Sequence, residues 1–179
     1  MSNQPRVAKV LAALLVSMTA GAMVLMALGD NPPSAGLFSL SIHIPVEKAI
    51  RSRTSPSPRR WGRIEIYYSG TKAGNIEQLA SLGGLASAED INCHFVICNG
   101  LGASDGQIQP TEKWQNQWSI IPGRSWYGSG QTVRICVIAD GKTAHPTDSQ
   151  KRRSQALVGE LQRMFGIQPE SVYYPSDWR

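Results

Sequence analysis

Hydrophobic positions change their spacing several times along the 179 residues. Val10 to Gly29 is apolar without a single charge. At about 1.5 Å per helical residue such a run is long enough to cross the ~30 Å hydrocarbon core of a bilayer. From Trp61 the pattern alternates. Ile64, Ile66 and Tyr68 are interleaved with Glu65, Tyr67 and Ser69, the period of a half-buried strand. Asn75-x-x-Gln78 then reads as a capping box, with Ile76, Leu79, Ala80 and Leu82 on one helical face before Gly83-Gly84. Phe95, Val96 and Ile97 are β-formers without helical spacing, followed by the turn residues Asn99-Gly100 and Asp105-Gly106. Thr132 to Ala139 is apolar at both parities, the mark of a central strand covered on both faces. Pro146 and a second capping box, Thr147 to Gln150, open a helix. Leu157, Val158, Leu161, Met164 and Phe165 form its stripe and Gly166 ends it. A short strand follows at Val172 to Tyr174.

The order β-α-β-β-α-β, without an internal repeat, predicts an α/β fold. It is a small mixed β-sheet flanked by helices, preceded by one N-terminal transmembrane helix. Three segments are expected. Residues 1–29 are a membrane anchor or signal segment, 30–60 a Pro/Ser/Arg-rich tether, and 61–179 the folded domain. Pro32-Pro33, Pro45, Pro56 and Pro58 predict an extended, poorly ordered tether, with one weakly alternating patch over Leu37 to Ile44. Gln107 to Gly130, with Trp114, Trp118 and Trp126, is expected as a long surface excursion carrying one short strand near Ile108.

Charge adds a direction to this arrangement. Arg6 and Lys9 precede the apolar run, while only Asp30 follows it before Glu47 and Lys48. The positive-inside rule then puts the N-terminus in the cytoplasm and the domain outside the cell membrane. The net charge of +5 gathers at Lys48, Arg51, Arg53, Arg59, Arg60 and Arg63. A basic stretch of this kind in a linker is a solvated segment or a loose attraction to anionic polymers. No nucleic-acid motif accompanies it. Cys93, Cys98 and Cys136 are odd in number and lack CxxC spacing, which argues against a disulfide framework or a structural zinc site. They read as small buried hydrophobes or, alternatively, as one Cys98–Cys136 bridge in an oxidising compartment. Cys93 and Cys98 differ in strand parity and are expected on opposite faces.

Several pieces, in this order and spacing, resemble one family. They are WxxIxI(x)2SGT at Trp61–Thr71, HFVI at His94–Ile97, DGxI at Asp105–Ile108, ICVIAD at Ile135–Asp140, PTxxQ at Pro146–Gln150 and VxxxSD at Val172–Asp177. Together they resemble the type-2 N-acetylmuramoyl-L-alanine amidases and the related peptidoglycan recognition proteins, over Trp61 to the end of the chain. The resemblance implies a zinc α/β fold that cuts the bond between muramic acid and the L-alanine of the stem peptide.

The family's zinc needs three protein ligands and an open position for water. Where the first ligand, a His, stands in the family, this chain has Tyr67. Where the second stands, it has Pro175. The third would lie beyond Arg179, the last residue. The catalytic Tyr often found before HFVI is Cys93 here, and Ile121 to Arg124 contain no His for a substrate-lining motif. His94 resembles a family strand histidine that is not a ligand, and reads as a satisfied buried histidine or as a ligand contact.

The implied reading is a degenerate amidase-like domain that binds peptidoglycan or muropeptide without zinc hydrolysis. It has no cofactor, since zinc is the family's and not expected here. Tyr67, Tyr68, His94, Trp126 and Asp177 are the candidate ligand contacts. Two rivals stay open: an active amidase with altered ligands, and a structural or partner-binding module of the cell envelope.

Overall fold

The computed structural model describes residues 9–12, 14–19, 44–120 and 128–178. It divides into two compact units, Met1–Ile42 and His43–Arg179. In the first unit the described residues are helical, and the large side chains of Val10, Leu11, Leu14, Leu15, Val16 and Met18 are exposed. Ser17 and Thr19 return their hydroxyls to carbonyls of the preceding turn, so neither presents an unsatisfied donor. Among the described residues no helix is long and apolar enough to cross a membrane. Residues 13 and 20–29 of the expected span, and 37–43 of the expected strand patch, lie outside the described residues.

The second unit is an α/β domain built on one five-stranded mixed sheet in the order β3-β2-β4-β1-β5. Strand β1 is Arg63–Tyr68, β2 Phe95–Ile97, β3 Ile108–Pro110, β4 Thr132–Val137 and β5 Val172–Tyr173. β1 runs parallel to both β4 and β5, and β2 parallel to β4, while β3 is antiparallel to β2. The register explains the two-sided core. Ile64 pairs with Val133, Ile66 with Ile135, and Phe95 with Ile135, and all of these enter one apolar layer. Tyr67 pairs with Cys136 and Val96 with Cys136, and these face the other layer. This is why β4 is apolar at both parities: every one of its six residues is buried.

Among the described residues four α-helices accompany the sheet: α1 (Val46–Ala49), α2 (Ile76–Leu82), α3 (Glu112–Gln115) and α4 (Asp148–Phe165). Helix α2 starts at Asn75, whose side chain accepts from the Gln78 amide, and it covers the Cys136 face through Ile76, Leu79 and Ala80. Helix α4 covers the opposite face with Leu157, Val158, Leu161 and Phe165. It opens on the expected capping box at Thr147 and closes on Gly166 in the left-handed region (φ 68°). Gln150 does more than cap. Its amide Nε2 donates to the carbonyls of Ile97 and Ile138 at 3.1 and 3.0 Å, tying α4 to the ends of β2 and β4. The Ile97 carbonyl also accepts from the Ile138 amide at 3.0 Å, so Gln150 adds a second bond there and a partner for the Ile138 carbonyl at the end of the ladder.

Two expectations change. Residues 44–60 do not behave as a tether throughout, because Val46, Ala49 and Ile50 are buried in the α4-side core. The Ile50 carbonyl accepts from Trp114 Nε1 at 3.0 Å. The excursion after β3 is likewise not all surface. Thr111 caps α3, and Trp114 of that helix is fully buried against Phe95 and Phe165. A large aromatic with a donor is stable inside only when that donor finds a partner, and the early residues supply it.

Candidate functional site

The connection leaving β1 passes over one face of the sheet through α2, and the connection leaving β4 passes over the other through α4. Two neighbouring parallel strands whose connections part in this way leave a crevice beyond their carboxyl ends, where α/β sheets place ligands. A cavity of about 470 Å³ opens there. β1 contributes Ile66, Tyr67 and Tyr68, the loop after β4 contributes Gly141 and His145, and the chain after β5 contributes Pro175, Ser176 and Asp177.

Tyr68 is the centre of its polar wall. Its hydroxyl donates to Asp177 Oδ2 at 2.6 Å and accepts from Trp178 Nε1 at 2.6 Å. Partial burial and the neighbouring carboxylate push the Tyr68 phenol up, so it stays protonated and holds this direction of donation. The Asp177 carboxyl is held below the ordinary carboxylate range, first by the Tyr68 hydrogen bond and further by the charges of Lys151 and His145. The chain Trp178, Tyr68, Asp177 thus pins the last turn of the protein to the end of β1 and leaves an ionised carboxylate facing the groove.

The His145 loop is shaped from its first residue. Asp140 accepts from the backbone N–H groups of Lys142, Thr143 and Ala144 at 2.8, 2.7 and 2.7 Å, and from the Thr143 hydroxyl. These bonds hold its carboxyl well below the usual range. Gly141 has φ 71°, and a Cβ there would stand 3.0 Å from Tyr68 Cδ2. Both the backbone conformation and the pressed Tyr68 ring call for glycine.

Tyr67, on the other side of β1, lies with its ring under the Arg134 guanidinium (3.9 Å), and Arg134 pairs with Glu65 at 3.3 Å. Its phenol is pushed well up by burial and then by Cys93 and Cys136. All three cysteines are buried free thiols, so no Cys98–Cys136 bridge forms. Burial pushes Cys98 up to about 12 and Cys93 well above its ordinary value. The expected opposition of Cys93 and Cys98 does not hold either. A bend over 92–94 turns Cys93 into the layer of Val96 and Cys136, and Cys136 is also close enough to raise Cys98.

The expected ligand contacts therefore separate. Tyr67, Tyr68 and Asp177 come together. Trp126 lies outside the described residues. His94 is not in the groove and is corrected to a core residue. It is fully buried, edge-on to Trp61 at 4.7 Å. Its Nδ1 accepts from the Arg134 amide at 3.0 Å, which leaves Nε2 to donate to the Trp118 carbonyl at 3.0 Å. Burial lowers it to about 4, so the ring is neutral.

His145 and Gly141 are groove residues absent from the expected contacts, and Trp178 supports the groove by donating to the Tyr68 hydroxyl. The available signal was positional: a glycine and a histidine in the loop directly after a central parallel strand.

A catalytic zinc would need three protein donors. The groove offers His145 and Asp177 beside a high-pKa phenol and a proline ring. Among the described residues no group of three or more His, Cys, Asp or Glu is placed to hold a metal. These residues do not fit the family's zinc, and no step is derived through one. What the groove does present is the Tyr68 phenol, an imidazole and a carboxylate around an open space, with Tyr67 reaching its wall while its own phenol is buried toward Cys93 and Cys136, a set suited to hydrogen bonding and ring stacking with a polar ligand. Neither a family model nor a curated protein matches this chain.

Proposed function

We propose that the domain is a degenerate amidase-like module that binds peptidoglycan fragments in the Tyr67–Tyr68–Asp177 groove and does not hydrolyse them. The observation that carries this reading is the convergence of distant segments. Tyr68 and Asp177 are separated by 109 positions and meet at 2.6 Å beside Pro175. They neighbour Tyr67 and Pro175, the positions that the resemblance aligns with the amidases' zinc ligands, and those two residues line the same groove. A groove of about 470 Å³ is of the size that takes a small ligand. The Tyr68 ring supplies a face for sugar, and Asp177 and His145 supply polar ends for hydroxyl and amide groups.

The N-terminal run is read as a single-pass anchor with the domain outside. Its support is the uncharged stretch from Val10 to Gly29, the Arg6/Lys9 bias and the apolar side chains exposed around the described helical residues.

The test is co-sedimentation of the full chain, held in detergent, with purified sacculi, together with its zinc content. Saturable binding that Tyr68→Ala and Asp177→Ala weaken, with no peptide release, supports the reading. Stoichiometric zinc with chelator-sensitive release would instead establish the active-amidase rival. Absence of binding would favour the partner-binding module. For topology, a C-terminal reporter that works only in the cytoplasm would refute the external placement.

A further inference from the structure

Just after α3 the chain makes a turn through Gln117, whose φ of 54° lies in the left-handed region that side chains other than glycine rarely adopt. The Gln117 side chain holds it there. Its Oε1 accepts from Trp61 Nε1 at 2.7 Å, and its Nε2 donates to the Trp114 carbonyl at 2.8 Å. The turn fixes the backbone of Trp118. The Trp118 N–H donates to the Lys113 carbonyl at 2.8 Å, and the Trp118 carbonyl accepts from His94 Nε2 at 3.0 Å. The indole itself is 57% exposed. A single exposed apolar side chain is ordinary on a protein surface. This one stands on a fixed backbone among cations.

The cations come from the segment packed against α3. The amides of Arg53 and Thr54 donate to the Gln115 carbonyl at 3.1 and 3.3 Å. Arg60 Nη2 donates to the Gln117 carbonyl at 3.2 Å and to the Ser119 hydroxyl at 2.6 Å, the residues on either side of Trp118. Residues 50–60 carry Arg51, Arg53, Arg59 and Arg60 and no acid, and residues 111–119 add Lys113 and Glu112. Glu112 is held by Arg53 at 2.8 Å. Glu89 and Asp90 border this face where Lys113 Nζ donates to the Glu89 carbonyl at 3.1 Å. Tryptophan favours the headgroup level of a bilayer, and basic side chains beside it favour anionic lipid. The chain supplies such a surface itself. The expected anchor ends at Gly29 and the described domain begins at Ile44, and the residues between them reach about 50 Å at full stretch. A covalent connection of that length keeps the bilayer at high effective concentration. We propose that the Trp118 face docks on anionic lipid headgroups of the bilayer that holds the chain, with the indole at headgroup level and Arg51 and Arg59 toward the phosphates. The proposal rests on the anchor reading for the nearness of the bilayer and is independent of the groove.

The test is flotation of the full chain with vesicles of phosphatidylcholine, with or without phosphatidylglycerol, together with quenching of its tryptophan fluorescence by lipids brominated in the acyl chains. Trp118→Phe, a change at an exposed ring, gives the share of the quenching that belongs to Trp118. That share is expected with phosphatidylglycerol at low salt. It should vanish without phosphatidylglycerol, and in 1 M salt, where the screening length falls to about 3 Å. Arg51→Gln together with Arg59→Gln, both at exposed positions, should weaken docking about fivefold for each charge removed. Flotation separates the docking from the anchor. A chain that floats with both lipids and shows no Trp118 quenching keeps the anchor and overturns the docking. A chain that floats only with phosphatidylglycerol, is released by salt and shows the quenching keeps the docking and overturns the anchor. Equal quenching in the two lipids, or a double variant that docks like the parent, would also overturn the proposal.

Discussion

Acidification should destabilise this domain in a window set by His94. Its imidazole is neutral and buried, with its value lowered from 6.5 to about 4, first by desolvation and then by the charges of Arg60, Lys113 and Arg134; the hydrogen bond to the Trp118 carbonyl opposes the shift only partly. The unfolded chain accepts the proton near 6.5 and the folded chain does not, so stability is present above 6.5 and is lost as pH falls toward 4. Integrating between those values gives a loss of about 2 kcal/mol by pH 5 and about 3 kcal/mol by pH 4. Carboxylates such as Asp140 and Asp177, whose folded values are depressed, act in a lower window, below the unfolded carboxylate value near 3.9. The assay is urea unfolding at pH 7, 6, 5 and 4.5, for the parent and for His94→Gln, whose amide keeps a donor and an acceptor but does not titrate. The parent should lose stability across this range, and His94→Gln, weaker at pH 7, should lose much less. Parallel losses in the two proteins would refute the buried neutral histidine.

Beginning the chain at Trp61 should remove about 3–6 kcal/mol, the worth of burying Val46 and Ile50, and leave Trp114 Nε1 without its acceptor; denaturant unfolding of chains starting at residues 44 and 61 measures it. Gln150→Leu should cost about 2–4 kcal/mol, because it removes the side-chain half of the capping box and the Gln150 bond to the Ile138 carbonyl, while the Ile97 carbonyl keeps the Ile138 amide; an unchanged unfolding midpoint would contradict this. A thiol reagent should titrate no cysteine in the native protein and three after denaturation, since every thiol is buried and free. Gly141→Ala should weaken groove binding and lower stability by about 1–2 kcal/mol, since alanine resists this left-handed backbone; calorimetry with and without ligand separates the two effects.

The strands and the two long helices were legible because periodicity and caps act locally. Ile64 and Ile66 alternate, β4 is apolar throughout, and Thr147 and Gly166 mark both ends of α4. Trp114 and Val46 to Ile50 were not legible, because their burial depends on one segment meeting another about 64 positions away. Polar and proline-rich surroundings pointed to a tether, and tertiary packing overrode that local signal. His94 stood among the candidate contacts beside the reading of a satisfied buried histidine; the second holds, and the partners that fix it, the Arg134 amide and the Trp118 carbonyl, are ones no local pattern announces. In the groove, Tyr67, Tyr68 and Asp177 were found through motif order. His145 needed the topology, because only the parallel β4–β1 pairing brings the loop after β4 beside Tyr68.

The most direct measurement is isothermal titration of the full chain with a purified disaccharide-peptide from cell walls, with and without a chelator, followed by mass analysis of the recovered ligand. The expected result is saturable binding that Tyr68→Ala reduces by about tenfold or more. The chelator should not affect it, and the ligand should be recovered intact. Heat only from dilution, or a ligand recovered cleaved in the absence of chelator and intact in its presence, would contradict a groove that binds peptidoglycan without zinc chemistry.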